Sequence, residues 1–268
     1  MFAARCFRWQ NSSSKGVNVI FYFSATGNSE HVARRIAAAT GDDVCSIAEC
    51  VKEGGCRFPA SGAIGIVSPT YAWGLPSIVR DFLRRLKLDG QPGYLWFCAT
   101  FGTTPGQCGR FANEILQRKG LAFAAYFSVK MPDSWTPIFN VSDAQKVASI
   151  NAAAEREIDA VIEQVQNRAV GDFMRRKAPV AVTRLVSRLE YESMRKTSHF
   201  RVEDTCIGCG LCAKRCPVSA IELRERRPVW VQDRCVICLS CLHRCPKFAI
   251  QYGTRTKHHG QYVHPGGN

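Results

Sequence analysis

Eight cysteines fall in two runs of identical spacing. Cys206, Cys209, Cys212 and Cys216 form one, and Cys235, Cys238, Cys241 and Cys245 the other, each read as C-x2-C-x2-C-x3-C-P with Pro217 and Pro246 closing the runs. Three thiolates at two-residue gaps can wrap one iron–sulfur cubane, while the fourth faces away and ligates a second cubane. The spacing therefore assigns Cys206, Cys209, Cys212 and Cys245 to one cluster, and Cys235, Cys238, Cys241 and Cys216 to the other. Zinc is the alternative, but it takes four ligands and its usual pattern is two separated C-x2-C pairs. The runs sit in a duplication: Asp204–Ile221 recurs 29 residues later as Asp233–Ile250, with Asp, four Cys, Arg, Pro, Ala and Ile aligned. Two half-domains related by a pseudo-twofold axis are expected. The second copy has Ile237 where the first has Gly208, which alters the hydrogen bonding open to the cluster sulfurs.

A second chemical pattern lies near the start. Ser24-Ala-Thr-Gly-Asn-Ser29 follows a β-branched and aromatic run, Val17–Phe23, and opens a helical pattern. Three hydroxyls and a glycine that lets the backbone approach suit a dianionic phosphate at a helix N-terminus. No G-K-[ST] follows, so it is not a Walker A loop. It is not G-x-G-x-x-G either, which disfavours a dinucleotide site. A plain N-cap turn would use the same Ser and Asn residues. Two further loops, Pro69-Thr-Tyr-Ala-Trp-Gly-Leu-Pro76 and Thr100-Phe-Gly-Thr-Thr-Pro-Gly-Gln107, also follow apolar runs. Tyr71, Trp73 and Phe101 can pack on a flat ring. No Ser/His/Asp or carboxylate constellation argues for a bound organic substrate.

The elements that must position these loops alternate. Strands are expected at Val17–Phe23, Val44–Ile47, Ala63–Val67, Tyr94–Cys98 and Phe123–Val129, with helices over about 29–39, 77–87, 107–119 and 142–168. The segment Glu49–Gly62, carrying Gly54-Gly55, predicts only a vestigial helix. Alternation of this kind gives a parallel sheet covered on both faces, whose carboxyl edge gathers the loops. Residues 1–16 read as a loose polar leader without the long apolar stretch of a secretory signal. No run of 18 apolar residues offers a spanning helix.

Composition is an ordinary globular mix. The chain has 268 residues, 46% hydrophobic and 22% charged, with 14 cysteines. Cysteines without an export signal imply a reducing, cytoplasmic setting and metal ligation rather than disulfides. Cys6, Cys45, Cys50, Cys56, Cys98 and Cys108 lack ligand spacing and read as plain thiols. The net charge is +14, most of it beyond residue 170. The Arg- and Lys-rich stretch 171–200 reads as a solvated helical connector, able to meet a membrane surface or an acidic partner. No nucleic-acid-binding signature is present, so nucleic acid is not expected as a partner. His258, His259 and His264 sit in a Gly-containing tail and are expected to be exposed.

The cysteine-rich region, about residues 199–252, resembles bacterial-type ferredoxins with two [4Fe-4S] clusters. Residues 17–167 resemble flavodoxins. Their phosphate loop matches Ser24–Ser29 and their isoalloxazine loops match 69–76 and 100–107. The whole order resembles the flavodoxin–ferredoxin fusion proteins of anaerobic bacteria, which Met131-Pro-Asp-Ser-Trp135, Ala249–Thr256 and Gln261–Pro265 also fit. The resemblance implies an α/β, flavodoxin-like doubly wound parallel sheet of order 2-1-3-4-5 over 17–168. A basic helical connector (169–200), a small α+β ferredoxin-like domain (201–254) and a tail (255–268) would follow. The implied cofactors are one FMN and two [4Fe-4S] clusters. The implied FMN contacts are Ser24, Ala25, Thr26, Gly27, Asn28 and Ser29 at the phosphate, and Pro69, Thr70, Tyr71, Ala72, Trp73, Gly74, Thr100, Phe101, Gly102 and Thr103 at the ring. The implied function is electron transfer to or from redox partner proteins. The alternative is a flavin-dependent reductase of a small molecule, fed by the clusters and marked by a spacious pocket near Trp73, Phe101 and Trp135.

Overall fold

The computed structural model describes residues 18–60, 62–175 and 177–267; the expected leader, and with it Cys6, lies outside them. Strands β1 (Val19–Tyr22), β2 (Asp43–Ser46), β4 (Ala63–Pro69), β6 (Tyr94–Phe101), β7 (Ala125–Lys130) and β8 (Gly171–Asp172) form one sheet in the order β2-β1-β4-β6-β7-β8. All pairings are parallel. The first five strands thus keep the expected 2-1-3-4-5 order, and β8 adds a sixth at the edge. A separate parallel pair, β3 (Arg57–Pro59) with β5 (Lys87–Asp89), flanks the sheet. At three residues each, β3 and β5 are too short to show a period-2 pattern in sequence.

Strand side chains alternate between two cores. Phe21, Ile64, Ile66, Leu95 and Phe97 pack against α2 (Ile47–Glu53), α3 (Ser77–Arg85) and α4 (Cys108–Gln117). Ile20, Val67, Trp96, Cys98 and Phe127 pack on the other face against α1 (Asn28–Thr40) and α5 (Ala144–Gln166). The helix expected to be vestigial is a capped two-turn α2: the Ser46 side chain accepts from the Glu49 amide, and Ile47 and Cys50 are buried. Burial of that short apolar face outweighs the Gly54-Gly55 that ends it.

After β8 the chain enters α6 (Val180–Met194). This is not a solvated spacer. Thr183 and Tyr191 are fully buried, and Arg184 pairs with Glu114 of α4 at 2.9 Å. Its outward face carries the exposed Val182, Leu185 and Leu189. The cysteine-rich unit is built from two antiparallel pairs, β10 (Ile221–Arg224) with β11 (Arg227–Trp230) and β9 (Phe200–Val202) with β12 (Ile250–Tyr252). Between them lie two one-turn helices, α7 (Leu211–Lys214) and α8 (Ser240–His243), and α9 (Thr256–His259) follows. No helix among the described residues is long and apolar enough to cross a membrane.

Candidate flavin cavity and cluster hollows

The phosphate-loop geometry follows from one left-handed residue. Gly27 has φ 100°, and its amide donates to the Ser24 side chain at 3.1 Å, closing the turn that starts α1. A Cβ there would lie 3.0 Å from both the Gly267 Cα and the His264 Cβ, so the tail packs directly on the loop. Ser29 Oγ lies 2.8 Å from Thr100 Oγ1, joining this loop to the third. The Asn28 side-chain amide donates to the Pro132 carbonyl at 3.1 Å, joining it to a fourth, Met131–Trp135. The amides of the first turn and the helix dipole suit this edge to an anion.

Between the loops lies a cavity of about 440 Å³. It is lined by Ser24–Thr26, Asn28 and Ser29, by Pro69–Trp73, by Thr100–Thr104 and by Met131–Trp135, and then by Ile138 and Phe139. Fourteen of the sixteen residues expected at a flavin line it; Gly27 and Gly74 stand behind the wall. Gly74 closes a tight turn on Tyr71, with amide–carbonyl bonds of 2.9 Å in both directions and left-handed Ala72 and Trp73 between. Such strain in non-glycine residues collects at ligand sites. Gly102 has no room for a side chain, since a Cβ would fall 2.2 Å from Asp133 Oδ2. Burial raises the Asp133 carboxyl above its usual range, against the pull of the Trp135 amide that it accepts.

Sequence reasoning missed the remaining walls. Val186, Glu190, Tyr191 and Met194 of α6 line one side, and Ile237, Cys238 and Leu239 of the second cysteine run line another. The buried Trp135 Nε1 has no partner. A cavity lined by aromatic rings and hydroxyls from four loops suits a flat polar-edged ring such as a flavin, and its volume lies within the roughly 300–1,000 Å³ of cofactor clefts.

The eight cysteines line two small apolar hollows. Cys206, Cys209, Cys212 and Cys245 surround the first, with Leu223 and Ile250. Cys216, Cys235, Cys238 and Cys241 surround the second, with Phe200 and Trp230. Three from one run and one from the other is the grouping expected of two cubanes. Among the described residues, no three His, Cys, Asp or Glu side chains converge on a single ion. Backbone amides already point at sulfur: Ile237 N to Cys235 at 3.2 Å, Ala220 N to Cys216 at 3.2 Å and Ala249 N to Cys245 at 3.3 Å. Burial pushes the Cys235 thiol up to about 11 and Cys238 up to about 12, so bound iron is what would make them thiolates.

The duplication diverges where the second copy meets the flavin cavity. Gly208 and Gly210 are left-handed, and so are their counterparts Ile237 (φ 58°) and Leu239 (φ 56°). A side chain in that region costs roughly 1–2 kcal/mol. Both are buried, packed with Tyr191, and partly offset the strain with core contacts. The first hollow has the rim more exposed to solvent: Cys209 is exposed and Ile207 is 49% exposed. Cys212 of the first hollow and Cys235 and Cys241 of the second all pack against the cluster of Cys216, Ala220 and Ile221, so the hollows adjoin. Cys238 lines the second hollow and the cavity alike.

Two expectations need correction. His264 is not exposed: it is 5% accessible and stacked on His31 at 4.1 Å. His259 is half-buried, with Nδ1 2.6 Å from the Thr136 carbonyl, whereas His258 is exposed. Of the other cysteines, Cys50, Cys56, Cys98 and Cys108 are free and buried, and Cys45 is disulfide-bonded instead of a plain thiol.

Comparison with known proteins agrees with this layout. A family profile for flavodoxin domains matches residues 19–160, more than half of the chain, and a 4Fe-4S dicluster domain profile matches 199–246. Ferredoxin-1 of Rhodospirillum rubrum is 61% identical over 23 residues, which cover 9% of this chain and 42% of that protein. Rubredoxin oxygen:oxidoreductase from Desulfovibrio gigas is 20% identical with a TM-score of 0.33, over 55% of this chain and 37% of that one. A flavoprotein from Bacteroides uniformis is 16% identical with a TM-score of 0.33, over 44% of this chain and 94% of that one. The matched stretches thus span less than half the length of the ferredoxin and of the oxidoreductase. With a flavodoxin profile over most of its first 160 residues, the chain belongs to the flavodoxin domain family, and it carries a 4Fe-4S dicluster domain behind that domain.

Proposed function

We propose that this is a cytoplasmic electron-transfer protein holding one FMN in the cavity and one [4Fe-4S] cluster in each hollow, exchanging electrons with redox partner proteins. The observation that carries the reading is Cys238, which lines both the second hollow and the cavity. FMN supplies one- or two-electron chemistry and each cluster one-electron chemistry. The chain's own part is positional. The start of α1 receives the phosphate, and Tyr71, Trp73 and Phe101 line the space for the ring. α6 and the Ile237–Leu239 segment keep water from the cavity on two sides. The first hollow, with its more exposed rim, is the side a partner protein would reach.

Anaerobic purification with iron, sulfide and flavin quantification tests the reading. About eight irons and one flavin per chain are expected; zinc in place of iron would refute it. Rapid mixing after cluster reduction should then give a flavin absorbance change whose rate does not depend on protein concentration. A rate proportional to concentration would mean that the clusters serve another molecule.

A second reading is favoured by the cavity itself, which gathers Trp73, Phe101 and Trp135 in its lining. In it the protein is a flavin-dependent reductase of a small molecule. A substrate that reoxidises the reduced flavin catalytically, without a protein acceptor, would select this reading.

A further inference from the structure

The stretch from Cys241 to Cys245 connects the cofactor sites in an unusual way. Cys241 lines the second hollow and Cys245 the first, so both ends of the segment are candidate iron ligands. The two residues just before Cys245 reach away from the hollows, to the flavin loops. His243 is 3% exposed, and its Nε2 lies 2.8 Å from the Ser134 carbonyl. Its Nδ1 accepts the Tyr262 amide at 3.2 Å, which leaves Nε2–H as the donor to Ser134. Arg244 Nε donates to the carbonyl of Ala25, inside the phosphate loop, at 3.0 Å.

The tail repeats the connection. Gln261 donates to the carbonyls of Leu242 and Cys245 at 2.7 and 2.9 Å. From there the Tyr262 hydroxyl donates to Asn28 Oδ1 at 2.7 Å, and the His264 amide donates to the Thr26 carbonyl at 2.7 Å. Contacts to Ala25, Thr26, Asn28 and Ser134 therefore all start from the Ser240–Arg244 stretch and its docked tail. The turn within it is short. It is a single helical turn, capped by left-handed Leu239 without a side-chain cap bond. In the first copy of the duplication the place of His243 is taken by the exposed Lys214, so this reach belongs to the second copy alone.

We infer that flavin binding and cluster loading are energetically coupled, with His243 and Arg244 as the positioning residues that carry the coupling. The inference rests on the cofactor assignment proposed above. Ligation of Cys241 and Cys245 fixes the turn, and the fixed turn holds the phosphate loop and the Met131–Trp135 loop in their binding geometry. Coupling of this kind is reciprocal: whatever factor the clusters add to flavin affinity, flavin adds to cluster retention.

The test uses the full chain, anaerobically. FMN affinity is measured by quenching of flavin fluorescence, once with reconstituted clusters and once after iron is stripped by a chelator. Binding at least about tenfold weaker without clusters is expected, within the usual range of site-to-site coupling. As the reciprocal measurement, FMN should slow iron loss to the chelator, and riboflavin, which lacks the phosphate, should slow it less. In the double variant H243L/R244M with its iron retained, FMN should bind more weakly and no longer slow iron loss. His243→Gln, which can keep a donor near Ser134, should restore much of both. If the double variant fails to hold iron, the wild-type pair of measurements decides. Equal FMN affinity with and without clusters, or iron loss indifferent to FMN, would overturn the coupling while leaving the cofactor assignment standing. Failure to bind FMN or iron at all would instead remove that assignment.

Discussion

The phenol of Tyr191 donates to the carbonyl of Val236 at 3.1 Å, and the same oxygen accepts the Ser77 amide at 2.9 Å. One hydroxyl on the connector helix thus ties the first turn of α3 to the second cysteine run. The Arg80 and Arg195 guanidinium groups lie over its ring, 5.6 and 5.7 Å from the centroid. Glu192, one residue on, pairs with Arg195 and Arg234 at 3.1 and 2.9 Å. Val236 itself packs in the flavodoxin core. Two independent cores joined by a flexible spacer would show none of this.

Tyr191→Phe keeps the ring and removes the hydroxyl. It leaves the Ser77 amide and the Val236 carbonyl buried without this partner, at a cost of about 1–3 kcal/mol each if unsatisfied. We expect a stability loss of about that size in urea denaturation of the iron-loaded protein. A midpoint unchanged from wild type would mean that water replaces the hydroxyl at both groups.

Cys216 sits in the first run but lines the second hollow. Cys216→Ser should therefore damage the cluster beside the flavin cavity and leave about four irons in the first hollow. Comparison with the spectrum of Cys209→Ser, which should keep only the other cluster, identifies it. Loss of the first-hollow cluster alone in Cys216→Ser would place Cys216 with its own run.

The cysteine grouping and the sheet order were legible because each rests on a local rule. Ligand spacing is a property of a dozen neighbouring residues, and strand–loop–helix alternation is a property of periodicity. What closes the site was not legible. His264 meets the Thr26 loop across more than 200 residues, and no periodic signal marks a tail that returns. The burial of Tyr191 was hidden by the Arg and Lys residues around it, which mark the solvent side of α6 but not its inner side. One clue was present: glycine at 208 and 210 against isoleucine at 237 and leucine at 239. Apolar side chains at positions where the first copy needs glycine indicate a face that is covered in one copy and open in the other.

Gly102→Ala tests the fourth loop. The new methyl would fall 2.2 Å from Asp133 Oδ2, so the Met131–Trp135 loop must move. Flavin affinity should drop by about tenfold or more, the scale of one hydrogen bond lost as the lining loop shifts. Iron stoichiometry should stay near wild type under excess iron. Unchanged flavin affinity would remove this loop from the binding site.

Acid should loosen the tail. Burial, with the His31 ring stacked on it, holds His264 down to about 4, against an ordinary histidine near 6.5. Around the pair, His31 Nε2 meets Glu155 at 2.5 Å, and Arg35 also bonds Glu155. A folded-state value below the unfolded one means that the unfolded chain binds the proton first. The contribution of neutral His264 is thus fully present above about pH 6.5 and is lost as pH falls toward 4, on the order of 1–3 kcal/mol in all. Since the His264 amide holds the Thr26 carbonyl, flavin release should rise over the same window. His264→Gln, which does not titrate, should flatten that rise while leaving affinity at pH 7.5 nearly unchanged. Flavin retention measured by fluorescence from pH 7.5 to 4.5 checks this. A variant whose profile follows wild type would assign the acid response to another group.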